Sequence, residues 1–410
     1  VNTPPFDVAI VGGGMVGASL AVALAPLGVS VALVEAVLHD SDAQPSFDER
    51  TTALSNGSRR ILETLGIWAG IASAATPIKM IHVSDQGHFG FARIDAREQG
   101  LDAMGYVLPN RVLGRALWER IERTPAIRVY CPAQVLEVEP GEPLVGLTLG
   151  DAAGGHRALK ARLVVAADGM QSAVRRAFGV EAESRDYGQT AIITTVLPQR
   201  FHDQVAYERF TESGPLALLP LGDGKCTLVL TVESAQVDRV MASSDAEFLA
   251  QLQHRFGFRL GRFLQVGRRV PYPLSLTQAA RTSAGRCVIV GNAAQSLHPV
   301  AGMGFNLGLR DAACLAELIA LNRRQQAPDA GAAALLAEYD AWRAADRRAI
   351  IGFTDGLVRV FSSPLGLVRR LRNLALLAFD VLPPAKSALS RLSTGAGGRV
   401  PRLARGVPLQ

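Results

Sequence analysis

The stretch Phe6–Leu20, FDVAIVGGGMVGASL, decides the fold. Its first six residues are almost wholly apolar, as in a strand buried on both faces of a parallel sheet. Gly12, Gly14 and Gly17 follow in the spacing G-x-G-x-x-G, and the apolar run Met15–Leu27 then reads as a helix ended by Gly28. Gly12 permits the tight turn, Gly14 lets the backbone approach a pyrophosphate, and Gly17 lets helix and strand pack closely. Ser30–Glu35, SVALVE, is the next strand, so the segment is a βαβ unit. Glu35 ends that strand, where a carboxylate can accept hydrogen bonds from both ribose hydroxyls. An acid there disfavours a 2′-phosphate, so the expected ligand is FAD or NAD rather than NADP.

Further along, Leu163–Ala167 and Arg286–Val290 read as buried strands of the same sheet. Between about 185 and 275 the pattern changes to short alternating segments, Ala191–Leu197, Leu216–Pro220 and Cys226–Val232, as in an antiparallel sheet. Beyond Asn306 the chain turns helical, with a last helix after Pro364. The expected fold is α/β. A discontinuous, Rossmann-like nucleotide-binding domain (1–75, 105–180 and 280–345) carries an inserted antiparallel β-sheet substrate domain (76–104 and 181–279). A C-terminal helical, basic tail spans 346–410.

Two more segments look built for a ligand. In Leu163–Arg175, LVVAADGMQSAVR, an apolar strand stops at Asp168-Gly169, and Ser172 is placed to cap a short helix. In Val288–Asp311, VIVGNAAQSLHPVAGMGFNLGLRD, a strand ends at Gly291, and Asn292 offers a polar side chain at the carboxyl edge of the sheet. Gly302 and Gly304 allow close backbone approach to a flat ring. Asn306 to Asp311 is expected to open a helix whose N–H groups stabilise a developing anion.

Composition narrows the class. The 410 residues are 48% hydrophobic and 20% charged, as in a folded globular chain. The four cysteines form no CxxC pair, so no metal site is expected. The net charge of +6 is unevenly placed: Gly356–Gln410 holds nine Lys/Arg against Asp380 alone, a local +8, and the rest sums to −2. No basic patch is interleaved with aromatics, so nucleic acid is not an expected partner. Within the tail, residues 364–384 set Leu367, Val368, Leu371, Leu374, Ala375, Ala378 and Leu382 at helical spacing beside Arg369, Arg370 and Arg372. That is the pattern of a helix lying on an anionic membrane surface. The N-terminus has no secretory pattern and no run is apolar enough to span a bilayer, so the expected location is cytoplasmic, peripheral to the inner face of the membrane.

The three motifs resemble those of the class A flavoprotein monooxygenases of the p-hydroxybenzoate hydroxylase type. Asp48–Ser55, DERTTALS, resembles the segment in which an arginine, here Arg50, meets the FAD pyrophosphate. Tyr106–Leu113, YVLPNRVL, with Arg111, resembles a stretch bordering the flavin. Asn292 and Gln295, where the wider family has aspartate and histidine, resemble the ubiquinone-biosynthesis subgroup and its 2-octaprenyl-6-methoxyphenol hydroxylases. The resemblance implies non-covalent FAD, with NAD(P)H as transient electron donor. It further implies O2 addition to the reduced flavin to give a C4a-hydroperoxide, and a polyprenyl phenol as substrate. It implies that Pro299 borders the oxygen-activating position and that His298 tunes the phenol proton. Other ubiquinone-biosynthesis proteins are further partners that it suggests. Two alternatives stay open: a hydroxylase of a small soluble phenol, and a flavin-dependent prenyl reductase of the same fold.

Overall fold

Strand β1, Phe6–Val11, runs between two parallel neighbours, His156–Ala166 and β2, Val31–Val34, which explains why its side chains are apolar in both directions. The sheet reads Ser283–Ala284, Cys287–Ile289, His156–Ala166, β1, β2, Ile127–Tyr130, with the hairpin strands Ala133–Glu139 and Val145–Asp151 attached to its long central strand. The computed structural model describes residues 4–41, 43–48, 50–88, 90–299, 302–325, 328–361 and 398–410. Helix α1, Met15–Leu24, follows β1 directly, and a 3₁₀ turn carries it to Gly28, whose positive φ of 67° ends it. Gly17 is required by packing: a Cβ there would lie 1.9 Å from the Gly12 carbonyl oxygen.

A second sheet of nine strands is almost entirely antiparallel. Its long strand Ala182–Pro198 pairs with Val270–Ala279 on one side and Cys226–Glu233 on the other. Gly214–Pro220, Val205–Thr211, Met80–Asp85 and Phe91–Asp95 continue it. One face packs on helix Asp245–Phe256 through Phe248, Leu252 and Phe256. That helix falls inside a region expected to be all β. Its N-terminus is a complete capping box, Ser244 and Glu247. The opposite face looks toward the nucleotide-binding part. A small sheet, Thr51–Ser55, Gly105–Pro109 and Thr76–Ile78, bridges the two, with Thr51 Oγ1 donating to Thr227 Oγ1 at 3.0 Å.

The C-terminal region is described in two parts. Helix Ala333–Phe361 runs straight through residue 346 as one 29-residue element. Ile350, Ile351 and Thr354 are buried on it, so this part belongs to the body. Residues 398–410 are also sewn down. The Trp342 indole N–H donates to the Arg399 carbonyl at 2.9 Å, and the Arg399 guanidinium lies 3.7 Å from the Trp342 ring centroid. The Arg402 N–H donates to Glu317 Oε2 at 2.6 Å, and Leu403 and Leu409 are buried. Burying a leucine contributes roughly 1.5–3 kcal/mol, enough to hold a short segment in place. The described residues at both ends of the segment 346–410 thus pack on the body. The membrane helix expected over 364–384 lies outside the described residues. Among the described residues, no helix is long and apolar enough to cross a membrane.

Candidate active site

Val11, Ala166 and Ile289 stand side by side in register at the carboxyl ends of three adjacent parallel strands. The loops that leave them carry Gly12–Gly17, Asp168–Ser172 and Gly291–Gly304, so the three sequence motifs meet at one edge of the sheet. The crossing is tight. A Cβ on Gly12, whose φ is 105°, would lie 2.3 Å from the Ala167 carbonyl oxygen, and one on Gly308 would lie 2.8 Å from Val16 Cγ2. Arg175 Nη1 donates to the Ala293 carbonyl at 2.7 Å, tying the second motif to the third.

At one end of this edge lie Gly12, Gly14, Gly17, Glu35, Arg50 and Arg111. The Glu35 carboxylate accepts the Gly13 N–H at 2.6 Å and the Val37 N–H at 3.0 Å, so it holds the glycine loop. Trp118, which the motif reading missed, donates its indole N–H to the Gly13 carbonyl at 3.2 Å and stacks on His39. Arg50 is held by Asp48, with Nε to Oδ1 at 2.9 Å, by the Pro45 carbonyl at 2.7 Å, and by the Tyr272 ring 4.6 Å away. A cleft of about 960 Å³ opens here between helix Asn110–Glu122 and the large sheet. Arg50, Arg111, Arg115 and Arg268 line it together with Asp40, Asp48 and Glu119. The four-residue spacing of Arg111 and Arg115 puts both on one helix face, a signal present in the sequence but unused. Four guanidinium groups around one cleft suit phosphate oxygens.

Asp168, next to Gly12, belongs to the second motif, and Asn292, His298, Pro299, Gly302, Gly304 and Asn306 to the third. Ser172 caps the short helix Ala173–Ala177 as expected. Asp168 Oδ2 accepts the Ala173 and Val174 N–H groups at 2.9 and 3.2 Å, while Oδ1 is buried with no hydrogen-bond partner among the described residues. Asn292 is exposed at the sheet edge. The third-motif helix begins at Met303, with Gly302 as its N-cap at φ 60°, three residues earlier than expected. Asn306 therefore sits a turn inside. Its Nδ2 donates to the Ala53 and Gly302 carbonyls at 2.8 and 2.7 Å, and its Oδ1 accepts the Ser55 N–H at 2.8 Å. That side chain locks the helix to the bridging strand. Gly304 is different: a Cβ there meets nothing within 4 Å, so no packing within the protein demands glycine.

His298 is buried edge-on to Tyr187, with ring centroids 5.4 Å apart, and burial lowers it to about 4. It is a neutral imidazole at physiological pH. Gln295, the other departure from the wider family, is buried in an ionic network. Its Nε2 donates to Asp311 Oδ2 at 2.9 Å and its Oε1 accepts from Arg347 Nε at 2.6 Å. Arg343 pairs with Asp311 at 2.7 Å and also with Asp346, which Arg310 meets at 3.0 Å. The network stands behind the third motif and fixes its loop. Among the described residues, no cluster of His, Cys, Asp and Glu could hold a metal ion.

The family described as FAD binding domain matches residues 5–354. The chain belongs to the FAD binding domain family. It is 39% identical to the ubiquinone hydroxylase UbiL of Rhodospirillum rubrum, over 98% of this chain and 93% of that one. It is 31% identical to the 3-demethoxyubiquinol 3-hydroxylase of Escherichia coli, over 93% and 96%. The fold is similar to that of p-nitrophenol 4-monooxygenase PnpA from Pseudomonas putida, with a TM-score of 0.78, 21% identity, and 97% and 100% of the two chains covered. The protein is an FAD-dependent aromatic hydroxylase. The residues present fit the cofactor. The glycine cradle, the arginine-lined cleft and the orphaned Asp168 oxygen lie along the line that an extended dinucleotide occupies in this kind of sheet.

Proposed function

We propose that this protein hydroxylates the aromatic ring of a polyprenyl phenol on the route to ubiquinone, with NAD(P)H as electron donor and O2 as oxygen source. The observation that carries the reading is the convergence of three motifs at one sheet edge, in a chain whose relatives are named as ubiquinone hydroxylases. Residues 1–75, 105–180 and 280–345 form the FAD-binding part, and 76–104 with 181–279 the substrate part. Bound FAD supplies the activation of oxygen and its transfer to the ring. The chain does the rest. Gly12, Gly14, Arg50 and Arg111 hold the phosphates, Glu35 the ribose, and Asp168 and Asn292 the polar chain leading to the ring. The backbone from Gly302 to Phe305 lies against the ring and offers N–H groups to negative charge. Pro299 borders the reacting position and keeps water from it. His298, neutral at working pH, tunes the phenol proton from beside Pro299. The enzyme docks on the cytoplasmic face of an anionic membrane through its basic C-terminal segment, where its substrate resides.

Quinone profiling by mass spectrometry in a deletion strain tests this function. A polyprenyl phenol lacking one ring hydroxyl is expected to accumulate. An unchanged ubiquinone pool favours a small soluble phenol instead, and accumulation of an over-unsaturated prenyl chain favours the reductase.

A further inference from the structure

The face of the large sheet that looks toward the FAD-binding part carries one file of cross-strand neighbours. Val270 pairs with Ile193, Ile193 with Val229, Val229 with Ala217, Ala217 with Glu208, and Glu208 with Val83. The residues on either side of each along its strand, such as Ile192, Leu228, Leu230, Leu216, Leu218 and Tyr207, point to the helix-covered core instead. Every member of the file is partly exposed. The file starts in the arginine-lined cleft, whose wall includes Ile193 and Val270. It crosses three inter-strand steps to Glu208, about 14 Å at the usual strand spacing. All of it is apolar except Glu208, beyond which Val83 continues the row.

We propose that this file is the floor of the substrate groove and that Glu208 is its one polar member, accepting a hydrogen bond from a hydroxyl of a phenol whose apolar chain lies along the floor. Glu208 is on the same face as Ala206, two residues back, which clusters with Ala53 and Leu219. Ala53 in turn meets Gly302 and Asn306 at the ring end of the cofactor edge. A carboxyl in an apolar wall costs free energy unless a polar partner meets it, and a substrate hydroxyl is such a partner. Burial alone pushes Glu208 up to about 7, while the residue remains partly exposed. The assignment rests on the proposed phenol substrate and names the group that orients it.

The test uses FAD-loaded enzyme and two probes, 2-geranylphenol and its methyl ether, with binding read from the flavin absorbance spectrum. The wild type should bind the phenol more tightly than the ether. Glu208→Leu should weaken the phenol about tenfold or more and leave the ether unchanged or tighter, with FAD content intact and the unfolding temperature not lowered. Glu208→Gln, which keeps an acceptor oxygen, should recover part of the loss. Equal phenol binding by wild type and Glu208→Leu overturns the role of Glu208 alone, as does an equal loss for both probes. Binding of neither probe by the wild type overturns the phenol substrate, and this inference with it.

Discussion

At the scale of single residues, the glycines of the site divide by cause. Gly12, Gly17 and Gly308 are demanded by the protein itself, since a Cβ at each would strike backbone or a neighbouring helix. Gly304 is not: it is the second residue of a helix, with open space beside it. Alanine there should stabilise the apoprotein by up to about 1 kcal/mol through helix propensity, and at the same time weaken FAD binding. Thermal unfolding of the apoprotein beside FAD titration checks both signs; a rise in both would show that nothing approaches that backbone. Arg50 is preorganised by Asp48, Pro45 and Tyr272, so Arg50→Ala should weaken FAD binding by about tenfold or more. Arg60, exposed on the next helix, is the suitable control. Arg59 is unsuitable, because it packs over Trp68 and Tyr106 and pairs with Glu63. Equal loss in Arg50→Ala and Arg60→Ala, by equilibrium dialysis, would reduce the effect to general charge.

At the scale of elements, the third-motif helix and helix Ala333–Phe361 are joined by the buried pairs of Arg343 with Asp311 and Asp346. Removing one partner leaves a buried charge unpaired, so Arg343→Met should destabilise by about 3–5 kcal/mol in chemical denaturation. Adding Asp311→Asn should cost less than the sum of the two single changes; strict additivity would contradict the network. This joint was not legible in the sequence, because partners 32 residues apart on two helices leave no periodic trace. The parallel strands were legible, since apolar runs punctuated by glycine have few other solutions. Helix Asp245–Phe256 was legible but passed over: Ser244 and Glu247 announce it. The start of the third-motif helix was misplaced because Gly302 and Gly304 read as loop, when a positive-φ glycine can equally be an N-cap. Glu208 gave no signal, since a lone acid in an alternating strand reads as solvent-facing until the register shows what it faces.

For the whole molecule, two buried histidines govern acid behaviour. Burial is the first cause lowering both His82 and His298 to about 4. The unfolded chain, with histidines near 6.5, then binds more protons than the native state between those values. Stability should fall as pH drops from about 6.5 toward 4, by up to about 1.4 kcal/mol per pH unit for each histidine. His82→Phe should flatten that slope in denaturation curves taken across the window; an unchanged slope would mean that His82 is protonated in the fold. Glu208, raised to about 7, acts in the opposite sense, and its unfavourable contribution grows as pH rises from about 4.5 to 7. Glu208→Leu should therefore gain on the wild type over that rise.

The proposed reaction is the transfer of one oxygen atom from O2 to a phenol ring by the FAD-loaded protein. Purified enzyme, NAD(P)H and a short-chain prenyl phenol under ¹⁸O₂ test it most directly, with the product weighed by mass spectrometry. The predicted result is a ring-hydroxylated product carrying one ¹⁸O atom. A product labelled instead from H₂¹⁸O, or a product with two added hydrogens formed without oxygen, would contradict it.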